Sequence, residues 1–197
     1  MSTLTVSRHF VEASLSGAER LGLDSRALLQ EAGISPDLLR IEMARVSSDQ
    51  FSKLMQVIWQ RTGDEFMGMG PRRARSGTFA TMCALVVGCQ TLEEVYQQAF
   101  RFSRLFEPMV SMELEIFGDR ARLVTRIEGS IHDPDYFLRE SILVIWHRLG
   151  SWLIGQPVEL EKAEFDYPRP DHGDEYRHIF HCPLAFESDC TALTFSK

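Results

Sequence analysis

No apolar run in the chain is long enough to cross a membrane. The longest, from Met82 to Gly88, falls far short of the roughly 20 residues that a bilayer span requires. The opening residues MSTLTVSRHF hold no apolar stretch of signal-peptide length. Cysteine is sparse: Cys83, Cys89, Cys182 and Cys190 are the only four in 197 residues, too few for a disulfide scaffold in a chain of this size. These absences lead to the expectation of a soluble, cytoplasmic protein with free thiols and no membrane partner. Positive charge is also in deficit. Lys and Arg number 21 against 28 Asp and Glu, a net charge of −7, and the pI is about 5.4. Such a surface repels phosphate backbones unless its bases concentrate on one face. The one dense basic run, Arg72, Arg73 and Arg75, can meet a few phosphates or an anionic ligand but is no nucleic-acid footprint.

Catalytic and cofactor signatures are missing as well. The glycine-rich stretch DEFMGMGPRRARSGTFATM has neither GxGxxG nor GxxxxGK[ST] spacing, so no nucleotide fingerprint is present. HExxH, CxxC and GxSxG do not occur. His172, His178, His181, Cys182 and Cys190 are the nearest approach to a metal set, but their spacing reads as a solvated turn beside an edge strand. Cys83 lies among Met82, Ala84 and Leu85, where burial would make a thiol inert, so a core role is expected. The acidic pairs Glu93/Glu94 and Asp133/Asp135 fall near helix starts, where the macrodipole favours them without catalysis. No enzyme activity, cofactor or metal is expected.

What is present is an ordinary globular balance, 44% hydrophobic and 25% charged. A chain of this length hides roughly 70% of its unfolded surface and needs no staple to hold a core. Three- and four-residue spacing predicts a helix over Ser7–Leu21 carrying Phe10, Val11, Ser14, Leu15, Ala18 and Leu21 on its buried stripe. Asp24 is placed to cap a short helix to Ala32, and Ser35-Pro36 begins a further turn. This pair resembles a helix-turn-helix only in outline, because Asp24–Glu42 lacks the polar row that reads base edges. Ser48 or Asp49 caps a helix to Thr62 with Phe51, Leu54, Met55, Ile58 and Trp59 on one side. Phe79–Val87 reads as a buried helix. Thr91 and Glu94 form a capping box for a helix to Leu105 whose inner face is Leu92, Val95, Tyr96, Ala99, Phe102 and Leu105.

Period two then replaces helical spacing. Met112, Leu114 and Ile116 alternate with polar neighbours up to Gly118-Asp119, and Ala121, Leu123, Thr125 and Ile127 follow. This predicts a half-buried hairpin with Glu113 and Glu115 opposite Arg122 and Arg126. The longest helix is expected from Asp133 to Ile154, with Asp133 as cap and Pro134 at its first position. Next come a strand in VELEKAEFDY, a short helix in EYRHIF, and strands around LAFES and TALTF. The fold class expected is α+β, with N-terminal helices followed by an antiparallel sheet packed against a long helix. Residues 1–197 are read as a single domain, helical over about 1–105 and mixed sheet and helix over about 106–197.

Polar residues riding on apolar helices suggest a pocket, since ligand sites are largely apolar with a few converging polar groups. The candidate ligand-binding residues are Tyr96, Arg101, Arg104, Arg139, Trp146 and His147, in a cavity expected between the sheet and the helices Phe79–Leu105 and Asp133–Ile154. The arginines favour a carboxylate, whereas Trp146, Trp152 and Tyr96 suit a cation.

The sharpest pattern lies near the C-terminus: Phe165-x-Tyr167-Pro168-x-Pro170, then Tyr176-x-x-Ile179-Phe180-x-Cys182-Pro183-Leu184-x-Phe186, then Leu193-x-Phe195. With GLDSRALLQEAGIS and LEEVYQQAFRFSRLF upstream, it resembles the N-terminal effector-binding region of AraC-family transcriptional regulators. The closer likeness is to the arabinose-binding-type branch, found in regulators of amino-acid and quaternary-amine catabolism. The resemblance implies a bacterial sensor of a small effector, such as an amino acid, quaternary amine or carboxylate, acting on a helix-turn-helix region. It implies that DNA is met only through that C-terminal region, absent from these 197 residues, as in a piece of a longer regulator or a stand-alone sensor. A homodimer is among the expected assemblies. The family's founding sugar-binding member has a cupin barrel, which this helical pattern does not resemble. An oligomerisation module without ligand is the alternative, followed by an enzyme or structural-metal protein.

Overall fold

The computed structural model describes residues 5–106 and 109–197. The chain gathers into two compact units: residues up to Phe79 with Ser130–Leu138, and Ala80–Gly129 with Arg139–Lys197.

The first unit holds three helices, α1 (Arg8–Arg20), α2 (Ser25–Glu31) and α3 (Ser48–Thr62), tied by a two-stranded ribbon of β1 (Thr5–Ser7) and β2 (Arg45–Ser47). α1 buries Phe10, Val11, Ser14, Leu15 and Ala18, the stripe read from the sequence, while Leu21 stays 41% exposed. Asp24 caps α2 as expected, accepting from Arg26 N–H. The next element is a five-residue 3₁₀ turn, Pro36–Arg40, with no buried residue, so no second helix exists there to form a helix-turn-helix. α3 starts one residue earlier than expected. Ser47, rather than Ser48 or Asp49, is its cap, and Gln50 returns the bond in a full capping box.

Beyond α3 the glycine-rich stretch closes onto α1. The left-handed backbone of Gly68 (φ +81°) lets it lie against Gly17, where an added Cβ on Gly17 would stand 2.2 Å from the Met67 carbonyl. The Arg20 guanidinium bonds the carbonyl oxygens of Gly68 and Gly70 beside this crossing.

In the second unit, α5 (Leu92–Ser103) and α6 (Phe137–Leu153, which begins in the first unit) accompany a five-stranded sheet ordered β3-β4-β7-β5-β6. These strands are β3 (Val110–Phe117), β4 (Arg120–Ile127), β5 (Leu160–Glu164), β6 (Leu184–Ala185) and β7 (Thr191–Ser196); α4 (Thr78–Val86) precedes them and α7 (Glu175–Phe180) separates β5 from β6. The α+β class is as expected, and the sheet does not close into a barrel. One edge differs from the antiparallel expectation: β6 runs parallel to β5. The hairpin pairs Glu115 with Arg122 in register, and Arg126 lies 3.5 Å from Glu113. Val124, expected on the outer face, is fully buried with Cys190 and Ala192.

Several expectations about helices are corrected. α4 exists but is not buried: only Met82 and Val86 are covered, and Phe79, Leu85 and Val87 stand 40%, 47% and 63% exposed. Its residues are apolar all round, and apolar composition alone does not guarantee burial. Cys83 is accordingly half-buried rather than in the core. Thr91 accepts from Glu94 N–H, but the Glu94 carboxylate reaches Gln90 N–H instead of closing the box on Thr91. The inner face of α5 is Val95, Tyr96, Ala99 and Phe100. Leu105 falls in a 3₁₀ turn, Arg104–Phe106, and is 75% exposed. α6 begins at Phe137, not Asp133, because Tyr136 adopts a left-handed backbone (φ 59°). Pro134 is therefore outside the helix, although Asp133 still accepts from Leu138 N–H at 2.8 Å.

Candidate functional site

Two places concentrate polar groups, one in each unit. In the first unit, α3 presents Gln56, Trp59 and Gln60 at i, i+3 and i+4, one face of a helix. The loop after Gly63 folds back beside this face. Asp64, 1% exposed, fastens it: one carboxylate oxygen accepts from Phe66 N–H (3.0 Å) and Ala74 N–H (2.8 Å), the other from Gly68 N–H (2.9 Å). Glu65 then ties the loop to the start of α4, accepting from Gly77 N–H (2.7 Å) and Phe79 N–H (2.9 Å) through separate oxygens. Gly77 makes this turn with φ +94°, a conformation that disfavours a side chain.

Between helix and loop lies a depression of about 240 Å³ lined by Gln56, Trp59, Gln60, Glu65, Ser76 and Gly77. The Trp59 indole N–H in this group is buried and has no hydrogen-bond partner among the described residues. A buried donor left unpaired costs about 1–3 kcal/mol. It therefore invites an acceptor that the protein itself does not provide. The loop also carries Arg72, Arg73 and Arg75, all exposed.

In the second unit, the C-terminal aromatic motif forms a packed cluster around Phe165, which is fully buried. Its ring centroid lies 4.8 Å from Tyr176, 5.5 Å from Tyr167, 5.6 Å from Phe180 and 5.1 Å from Phe186. At its polar edge sits Glu140, 2% exposed. One carboxylate oxygen accepts from Tyr176 O–H and lies 2.7 Å from His172 Nε2. Tyr167 Oη is 3.1 Å from Tyr176 Oη. Because Tyr176 spends its proton on Glu140, Tyr167 is the donor to Tyr176. Burial, then the adjacent Glu140 and Tyr167, push the Tyr176 phenol well above its ordinary range, so it remains a neutral donor. The motif that signals the family is thus a packing core with a buried carboxylate at its rim.

Of the six candidate ligand residues, the structure brings together Tyr96 and Trp146. Their rings are 6.1 Å apart, and Phe100 lies 5.2 Å from Trp146. Tyr96 Oη donates to the Trp146 carbonyl at 3.4 Å, and a Cβ on Gly150 would come within 2.5 Å of that hydroxyl. Burial pushes the Tyr96 phenol up to about 12. The other four lie apart from this pair. His147 Nε2 donates to the Val158 carbonyl at 2.7 Å; burial is the main cause that lowers its pKa. Arg139 is 3.9 Å from Asp166, and Arg101 and Arg104 are exposed. Among the described residues, no group of three or more His, Cys, Asp or Glu is arranged to hold a metal.

Sequence reasoning placed Trp59 on a buried stripe and did not single out Gln56, Gln60, Glu65, Ser76 or Gly77. The signal for the three α3 residues was their common helical face. Glu65 and Ser76 carry no local signal, because the loop closure that juxtaposes them is made by Asp64.

An α+β unit with such a depression, followed by an open sheet built on this aromatic motif, is the architecture of an effector-binding domain of transcription regulators. The family described as arabinose-binding domain of AraC transcription regulator, N-term, matches residues 22–197, and the chain belongs to that family. It is similar to the ornithine utilization regulator of Pseudomonas aeruginosa, 22% identical over 179 residues. That match covers 90% of the chain but 53% of the relative, so the chain spans about half the length of the curated relative. Among the described residues no helix is long and apolar enough to cross a membrane.

Proposed function

We propose that this chain is the sensing half of a bacterial AraC-type regulator. It binds a small metabolite and, through that binding, controls a helix-turn-helix DNA-binding region C-terminal to it in the full-length protein. The observation that carries this reading is the family match across residues 22–197; the fold and the 240 Å³ depression support it. The name of the Pseudomonas relative, a regulator of ornithine utilization, favours an amino acid or a derived amine as effector over a sugar. The acidic surface, net charge −7, supports the assignment of DNA contact to the other half. An effector acts only by binding two arrangements of the regulator with different affinity. Cytoplasmic location and self-association through exposed apolar residues complete the proposal.

Equilibrium dialysis of the purified chain against a small-molecule extract of bacterial cells tests it, with the retained compound identified by mass spectrometry. The expected result is a stoichiometric metabolite that also shifts DNA binding by the full-length regulator. If the extract and a broad metabolite library leave the chain empty, the alternative of an oligomerisation module takes its place.

A further inference from the structure

We infer that the depression between α3 and the loop 64–77 is the effector seat, and that its ligand is a small zwitterion carrying a protonated amine and a carboxylate. The inference rests on the sensing role proposed above and adds the site and the ligand class. Three observations carry it. First, the Trp59 indole N–H in the lining group is buried without a partner. An indole nitrogen only donates, so its missing partner is an acceptor, and a carboxylate makes the stronger bond.

Second, Glu65 lines the same depression and accepts one backbone N–H on each oxygen. A carboxylate has about four acceptor positions, so capacity remains on both oxygens for an ammonium group. The Glu65 bonds to Gly77 and Phe79 also hold it in place, which lowers the ordering cost of binding. Third, Gln56 and Gln60, also in the lining, each offer both a donor and an acceptor to either end of such a molecule. The volume, about 240 Å³, lies below the roughly 300–1,000 Å³ of pockets that take drug-sized ligands. The occupant is therefore compact. A sugar would use hydroxyls against amides and leave the Glu65 charge without a counter-ion, and a plain anion would face that charge directly.

Isothermal titration calorimetry with the twenty standard α-amino acids, each beside its decarboxylated amine and its amine-free acid, tests the assignment. At least one amino acid is expected to bind, and its two truncated analogues to bind at least tenfold more weakly. Trp59→Phe keeps the ring and removes the donor; it is expected to weaken the amino acid about tenfold, the value of one hydrogen bond to a charged group, while leaving the amine analogue unchanged. Glu65→Gln also disturbs the α4 start, so Gln56→Trp supplies a second variant. It lies on an exposed helical position and is expected to fill the depression and abolish binding with a native circular dichroism spectrum. If an amino acid binds but Trp59→Phe and Gln56→Trp bind it as the parent does, the seat is elsewhere and only the sensing role survives. If no amino acid binds while a metabolite of another class does, the ligand class is overturned. If nothing binds in either panel, the sensing role itself fails.

Discussion

Replacing Tyr176 by Phe removes one oxygen from the middle of a buried chain of hydrogen bonds. In the parent, Tyr167 donates to Tyr176 at 3.1 Å and Tyr176 donates to Glu140, which is 2% exposed. The bond to the carboxylate contributes about 1.5–3 kcal/mol, as expected for a charged acceptor. The Tyr167 hydroxyl, in a residue 4% exposed, also loses the acceptor that Tyr176 provided, adding roughly 1 kcal/mol. The total is about 3 kcal/mol. For a chain of this length, that corresponds to a fall in melting temperature of about 6–12 °C. Tyr167→Phe removes only the outer, neutral bond and is expected to cost about 1 kcal/mol. Urea unfolding followed by circular dichroism measures both. Equal losses for the two variants, or a loss below about 0.5 kcal/mol for Tyr176→Phe, would refute the reading of Glu140 as an ionised hub fed by a directional chain.

Other outcomes follow from the same structure. Gly17→Ala places a methyl 2.2 Å from the Met67 carbonyl and should destabilise the first unit by about 1–3 kcal/mol or more; a native melting temperature would show that the crossing is loose. His147 has its pKa lowered, chiefly by burial, so the unfolded chain takes up the proton first. Its stabilising contribution is full above pH 6.5 and is lost as pH falls through the lower folded value. The melting-temperature advantage of the parent over His147→Gln should therefore shrink between pH 7.5 and pH 5, and an advantage that grows on acidification would contradict the assigned Val158 bond. Cys190 is 7% exposed and burial raises its thiol pKa. Peptide mapping after brief treatment with a thiol reagent should find it the last of the four cysteines to react, and early modification would count against its place beside Val124 and Ala192.

Legibility differed between elements for physical reasons. The hairpin was readable because alternation and charge pairing act together: Glu113 and Glu115 could meet Arg122 and Arg126 in only one register. α1, α2 and α7 were readable from periodicity and caps. α4 was not, because a helix apolar on every side contains no asymmetry from which to infer its buried face. The start of α6 was misplaced because Asp133-Pro134 has the form of a helix start, whereas the left-handed Tyr136 delays the helix by one turn. Individual candidate site residues were chosen because they are polar on apolar helices, a criterion that also selects buried groups satisfied by the protein's own backbone, as His147 is by Val158. The depression depends on Asp64 gathering three N–H groups from residues up to ten positions away, which no local pattern encodes. The aromatic motif was visible from Phe165 to Phe195, but its convergence on Glu140 required the tertiary structure.

Hydrogen–deuterium exchange of the chain, free and saturated with the amino acid that calorimetry selects, tests the effector seat most directly. Slowed exchange centred on residues 56–79, with the strands of the sheet little changed, is the predicted outcome. Protection confined to the sheet and α5–α6, with residues 56–79 exchanging as in the free chain, would contradict it.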